Sequence, residues 1–518
     1  MKRKFFYLVL IPVLIMGLFS SCSARKSCAT LLPDDPSMVF TLDVQQLVDA
    51  SGIQTNAQLK EKIGKAIAKA GLSKDVQAKL ELILSDLAET GIDPRTEMIG
   101  GVYDLDEMTE MVFVAALSDA AKFEANLKEA GLPDPMEVSD DNSLRYYQLE
   151  RNVYLVYNAR NMVVYATEKY ADEEIANRAA RCFALDDNFS KSDAYAALQK
   201  EQGFTKMLLS GEELMKMREV KRNLRNMPTA ALHYVDLVKE TDIVAAVKME
   251  KGALTASYQI YADKPETIEA WKQTMTYTRP IKGYLLGYLP ANTAATMIAN
   301  LDGEKLIEYV NSLTEGQPSN PQTNMILNML STFKGDIALS VAPQVLEGDI
   351  PTGTLLATTT DNTIVKTVNA FGLIPSVADG ENNWWAPLER YDFARGDKMT
   401  FGYVNFGYEN GITYASLTAD NHRKLAKAEK PIDAGLFRGK MSALYIDMEL
   451  LMGMKPLREQ IERSMRTDEA MILRMITSEI DYIEGYSTPE LRAEVRVVMN
   501  NRDKTPLETY ISTLAMFL

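Results

Sequence analysis

The chain begins with a basic start, Met1-Lys2-Arg3-Lys4, then an apolar run from Phe5 to Phe19, then LFSSCSARK over residues 18–26. Basic, apolar and small residues in that order form a secretory signal. The apolar run falls short of the roughly 20 residues that a membrane-spanning helix needs. Beyond it, alternating stretches and stretches of helical period take turns. LLPDDPSMVFTLDVQQL, residues 31–47, predicts a Leu-Pro opening, a strand, and an Asp that starts a helix. LLGYLPANTAATMIANLDGEKL, residues 285–306, repeats that pattern, with Asp302 in the place of Asp43. VFVAALSDAAKFEANLKEAGL (112–132) and GTLLATTTDNTIVKTVNAFGL (353–373) each predict a strand, then a cap at Asp119 or Asp361. One amphipathic helix follows in each, and Gly131 or Gly372 suits the left-handed stop.

The correspondence continues in the same order. NVYLVYNARNMVVYAT (152–167) and YVNFGYENGITYASLT (403–418) read as hairpins, with Asn410-Gly411 supplying the second turn. TKMLLSGEELMKM (205–217) parallels SALYIDMELLMGM (442–454). Residues 241–271 parallel 479–511: two alternating strands, then Pro265 or Pro506 at a first helical turn, where the missing N–H costs nothing. The pattern predicts an α+β fold of two tandem similar domains, each an antiparallel or mixed sheet covered by helices. The expected organisation is a signal peptide (1–21), a lipidated tether (22–30), repeat domain 1 (31–280) and repeat domain 2 (285–518). Copy one carries surplus residues in the helical stretch 55–90.

Charge changes the picture next. The full chain carries −15; loss of Lys2, Arg3 and Lys4 leaves 53 basic residues against 71 acidic, a charge of −18. Such a chain repels nucleic acid and anionic headgroups. Attachment to a membrane must then come from a lipid. Ser20-Ser21-Cys22 resembles the lipobox of bacterial lipoproteins, in which the cysteine sulfur carries a diacylglycerol, so Cys22 is the expected lipid attachment. Cys28 and Cys182 remain, in a compartment that permits a disulfide.

Candidate chemistry is sparse. Nucleotide, zinc-protease and nucleophile-elbow motifs are absent. Ser331-Thr332-Phe333-Lys334 matches S-x-x-K without its K-T-G companion and reads as a helix end. His233, in a strand-like segment, and His422, in a helix, occupy unmatched positions in the two copies, which disfavours a duplicated metal site. Asp104, Asp106, Glu107 and Glu110 read as a solvated hairpin turn, because the spacing of a calcium loop is missing. Methionines 448, 452, 465, 471 and 475 fall at helical spacings and read as core. No cofactor and no metal are expected, and no residue is assigned as catalytic.

Two features suggest contacts. Trp384 and Trp385, in GENNWWAPLERY, are expected in a polar loop, where aromatics stack on sugar faces or anchor a protein. A basic helix recurs in MKMREVKRNLRNM, with Arg222 and Arg225, and in MKPLREQIERSMR, with Arg463 and Arg466. Either an anionic partner or a salt-bridged solvent face accounts for it.

The lipobox, the LLPDDPSMVFTLDVQQLVDASGI stretch and the strand–SDAAKF–helix unit together resemble a family of Bacteroidetes lipoproteins defined by a domain of unknown function. The resemblance implies an exported protein, lipid-anchored in the outer membrane or periplasm, with no catalytic residues to carry over. In that phylum, acidic residues after the lipidated cysteine resemble a surface-export address. The basic SARKS departs from it and favours the periplasmic face. The preferred reading is a non-enzymatic binding or scaffolding protein with an envelope protein or glycan as partner. The alternatives are a glycan-binding accessory lipoprotein using the tryptophans, or a hydrolase of unrecognised type built on paired carboxylates.

Overall fold

A computed structural model describes residues 27–61, 87–103, 110–138, 141–167, 172–224, 232–313, 320–346, 350–372, 374, 376–392, 396–421 and 424–514. Two compact units divide the chain: Met1–Ile268 with Asn501–Leu518, and Glu269–Asn500. The signal segment, Cys22, most of the surplus stretch in copy one, residues 104–109, Arg225 and His422 lie outside the described residues.

Among the described residues unit 1 holds ten strands: β1 Met38–Leu42, β2 Met98–Tyr103, β3 Glu110–Ala116, β4 Met136–Val138, β5 Asp141–Glu150, β6 Val153–Tyr157, β7 Asn161–Thr167, β8 Thr205–Ser210, β9 Asp242–Glu250 and β10 Ala253–Tyr261. All pair antiparallel, in the order β4-β5-β6-β7-β3-β2-β1-β8-β9-β10. Because side chains alternate across a strand, the sheet has two distinct faces, and apolar residues cover both. Val39, Ile99, Val112, Val114 and Val163 pack with Cys28, Leu32, Ile175 and Leu198 in one core. Met98, Phe113, Ala115 and Met162 pack with Val44 and Phe123 from the helices Val44–Ser51 and Ala120–Glu129 in a second. Burying one such side chain contributes roughly 1.5–3 kcal/mol.

The local signals work as their chemistry requires. Asp43 accepts the Gln46 N–H at 2.9 Å, and Asp119 accepts those of Ala121 and Lys122 at 3.0 Å. Gly131 and Gly372 close their helices at φ 91° and 60°. Residues 28–30, expected as tether, are part of the fold: Cys28–Leu31 forms a 3-10 turn and Cys28 is buried.

Unit 2 contains β11 Ala295–Asp302, β12 Phe333–Leu346, β13 Ile350–Thr359, β14 Val377–Ala378, β15 Asn383–Asp392, β16 Asp397–Glu409, β17 Ile412–Thr418, β18 Ser442–Asp447, β19 Ile480–Ser487 and β20 Arg492–Met499. These are again antiparallel, in the order β14-β15-β16-β17-β13-β12-β11-β18-β19-β20. The strand order matches that of unit 1 position for position. Ile298, Ala338, Leu356 and Ala443 face a cover of Leu285, Leu286, Leu289 and Phe437.

Candidate functional site

At one end of the unit 1 sheet, three strands finish together. Ser210 of β8 stands opposite Asp242 of β9, which in turn stands opposite Tyr261 of β10. The chain turns sharply here, and each turn carries its own polar reason. Ser210 starts the helix Gly211–Lys216, and Gly211 lies against the backbone: an added Cβ would meet the Val238 carbonyl oxygen at 1.9 Å. Ser192 accepts the Tyr195 N–H at 3.0 Å and so starts the helix Asp193–Lys200. Asp35, ahead of Pro36 and β1, has φ 57°, a left-handed conformation that Asp tolerates better than most residues.

These ends surround a cavity of about 370 Å³, within the size range of small-molecule sites. Its walls carry seven carboxylates, Asp34, Asp35, Asp193, Glu212, Glu240, Asp242 and Asp263, against two ammonium groups, Lys239 and Lys264. Phe189, Ala194 and Leu208 supply apolar surface. Several acids are already held by neighbours. Tyr261 donates to Asp263 at 2.7 Å, Thr267 donates to Glu240 at 2.9 Å, and Lys216 pairs with Glu212 at 2.9 Å.

Asp242 is the perturbed member. Burial pushes its carboxyl up to about 6, with the charges of Asp263 and Asp35 adding to the rise and the Gly211 backbone N–H opposing it. Burial likewise raises the Tyr261 phenol, with Asp263 beside it. The site therefore concentrates negative charge where water is partly excluded, which favours a cation entering it. Among the described residues no group of three or more His, Cys, Asp and Glu is placed to hold a metal ion.

The residues singled out from sequence lie elsewhere. Trp384 and Trp385 belong to β15 and not to a loop, which corrects that expectation. Trp384 stacks on its cross-strand partner Phe406 at 6.0 Å, and Trp385 meets Tyr403 edge-on at 5.7 Å. Both are half-buried. Sheet packing thus takes up much of the surface that a glycan would need.

Arg222 is exposed on the helix Arg218–Leu224. Arg463 pairs with Glu459 at 2.7 Å on the helix Lys455–Ser464, and Arg466 starts the next helix, its backbone N–H bound by Glu469 at 3.0 Å. The basic stripe of unit 2 is thus partly neutralised by its own acids. His233 lies in the helix Leu232–Lys239, where a strand was expected. Met448 is buried, whereas Met465 and Met471 are exposed, so the methionine spacing marks core only in part.

Cys28 and Cys182 are both free and buried. Burial pushes each thiol up to about 12, with Glu97 and Asp93 adding to the rise at Cys28 and Glu110 at Cys182. A thiol so protonated is a poor nucleophile.

Asp34, Asp35, Asp242 and Asp263 carried no site assignment from sequence alone. The usable signal was an acid at each of several element ends, but only the sheet order brings those ends together.

Residues 29–507 match a family described as a domain of unknown function, DUF4836. No curated protein matches. Among solved structures, crystal form I of TP0453 is similar at 10% identity, covering 50% of this chain and 88% of that one with a TM-score of 0.26. Crystal form III of TP0453 is similar at 10% identity over 50% and 90%, with a TM-score of 0.27. Among the described residues no helix is long and apolar enough to cross a membrane.

Proposed function

We propose, from the premise that this chain belongs to the DUF4836 family, that it is an exported envelope protein which binds a small cationic ligand without transforming it. The observation that carries this reading is the cavity of about 370 Å³ with seven carboxylates and two lysines on its walls. Ligand sites of this size combine apolar walls with a few convergent polar groups, and here those groups share one sign. An amine-bearing ligand replaces the water lost on entry with charge-assisted hydrogen bonds. The anchor is the diacylglycerol on Cys22, and the basic residues after it favour the periplasmic face of the outer membrane. The matching strand orders of the two units support an internal duplication into two similar domains.

The test is calorimetric titration of the full-length protein with spermidine at pH 7.5. Saturable binding is expected, weakened by at least about tenfold in an Asp242→Asn, Asp263→Asn double variant, the loss of two charge-assisted contacts. Absence of binding, or equal binding by the double variant, overturns the reading. Metabolic labelling with an alkyne fatty acid tests the anchor, because Cys22→Ser abolishes incorporation if Cys22 carries the lipid.

A second reading draws on the same Asp242. A carboxyl held near neutrality beside an ionised one is how glycoside hydrolases divide acid and base roles. Turnover of envelope glycans by the wild-type protein, lost in Asp242→Asn, would favour that reading over simple binding.

A further inference from the structure

One face of the unit 2 sheet carries two adjoining apolar lines across six strands, with several large side chains exposed. Leu355 of β13 stands opposite Leu339 of β12, Leu339 opposite Met297 of β11, and Met297 opposite Leu444 of β18. The line continues through Gly485 of β19 to Val495 of β20. Met297 is 53% exposed, Leu339 and Leu355 45%, and Val495 44%. One step along each strand on the same face runs a second line: Gly353, Val341, Ala295, Ile446, Ile483 and Val497. Neither line contains a charged or hydrogen-bonding side chain. The opposite face is different: there Ile298, Ala338, Leu356 and Ala443 are all buried beneath their cover.

Exposed contiguous apolar surface on this scale marks an interaction site. We propose that this face pairs with the same face of a second copy of the chain. Two observations favour that occupant. The first is charge. At −15, two copies repel, and the surface least opposed to their approach is one without charge. A pair of apolar lines is also complementary to itself, as a two-fold contact requires.

The second is area. Six strands about 4.8 Å apart span roughly 29 Å, and side chains with a repeat of roughly 6.8 Å give the two lines a breadth of about 14 Å. That flat footprint is about 400 Å² per copy. A pair therefore buries about 800 Å², the size of a weak, transient contact. The contact is a reversible dimer and not an obligate one.

The test uses full-length protein. Sedimentation velocity from about 1 to about 100 µM is expected to show wild type passing from monomer to dimer, with Leu339→Glu at least about tenfold weaker. Because Leu339→Glu also puts a charge on the sheet itself, single cysteines provide an independent measurement. Met297→Cys and Leu339→Cys are expected to give a cross-linked dimer with a short bismaleimide, while Lys398→Cys, on an exposed side chain at the start of β16, is not. The proposal is overturned if wild type stays monomeric throughout, if Leu339→Glu dimerises equally, if the control cross-links as well as the face positions, or if the face binds neutral phospholipid vesicles as a monomer.

Discussion

The carboxylate of Asp336 accepts the backbone N–H of Gly283 at 2.7 Å, and Gly283 holds φ 79°, a conformation that favours glycine. Asp336 is buried in β12 and also accepts from Lys282 N at 3.0 Å, Tyr284 N at 3.2 Å and the Asn300 side-chain amide at 2.7 Å. One carboxylate therefore ties the chain at residues 282–284 to the sheet, directly before Leu285 and Leu286 enter the core. Asp336→Ala leaves those donors without an acceptor. A loss on the order of 3–5 kcal/mol is expected, the usual cost of removing one member of a buried charged network. Urea unfolding measures it; a loss below about 1 kcal/mol would mean that the network is dispensable.

Gly303 begins the helix Gly303–Leu313 with no room for a side chain: an added Cβ would meet the Leu330 carbonyl oxygen at 2.0 Å. Backbone cannot yield as a flexible side chain can. Gly303→Ala is expected to cost roughly 1–3 kcal/mol although Ala is the better helix former. Thermal unfolding with an unchanged or raised midpoint would contradict this.

Asp242 makes stability depend on pH in a defined sense. Its carboxyl is pushed up to about 6, so the folded chain keeps a proton that the unfolded chain releases from about pH 4 upward. Stability is greatest below that window, falls between about pH 4 and pH 6, and is level above it. Besides burial, the charges of Asp263 and Asp35 oppose ionisation, and the Gly211 backbone N–H favours it. Asp242→Asn removes the fall and is expected to exceed wild type at pH 7 by on the order of 2–3 kcal/mol. Equal stability of the two proteins at pH 5 and pH 7 would show that Asp242 titrates normally.

The tryptophans are expected to act on stability. Trp384→Ala removes a half-buried ring stacked on Phe406, at a cost of roughly 1–3 kcal/mol. A glycan array that loses binding in this variant while its unfolding curve stays unchanged would restore the glycan reading.

What the sequence made legible was mostly local. The caps at Asp43 and Asp119 act within three residues, and Asn410-Gly411 takes φ 54° and 79° as a hairpin turn requires. Pro265 and Pro506 start their helices as expected. Trp384 and Trp385 were misread because Asn382, Asn383 and Pro387 look like loop residues. Proline fits β15 at this point because β14 pairs only with residues 384 and 385, leaving Pro387 on an open edge. The acidic cavity was illegible for a different reason: Asp35, Asp193, Asp242 and Asp263 belong to separate segments, and no short-range pattern records that their ends converge.

If a cation enters the cavity, it must draw the proton from Asp242, because a neighbouring positive charge favours the ionised carboxyl. Calorimetric titration with spermidine near pH 6, repeated in buffers of different ionisation enthalpy, reads that proton directly. The expected result is an apparent binding enthalpy that varies with the buffer, corresponding to release of about half a proton per site, and a dependence that vanishes in Asp242→Asn. Binding with no buffer dependence, or with the same dependence in wild type and Asp242→Asn, would contradict the account.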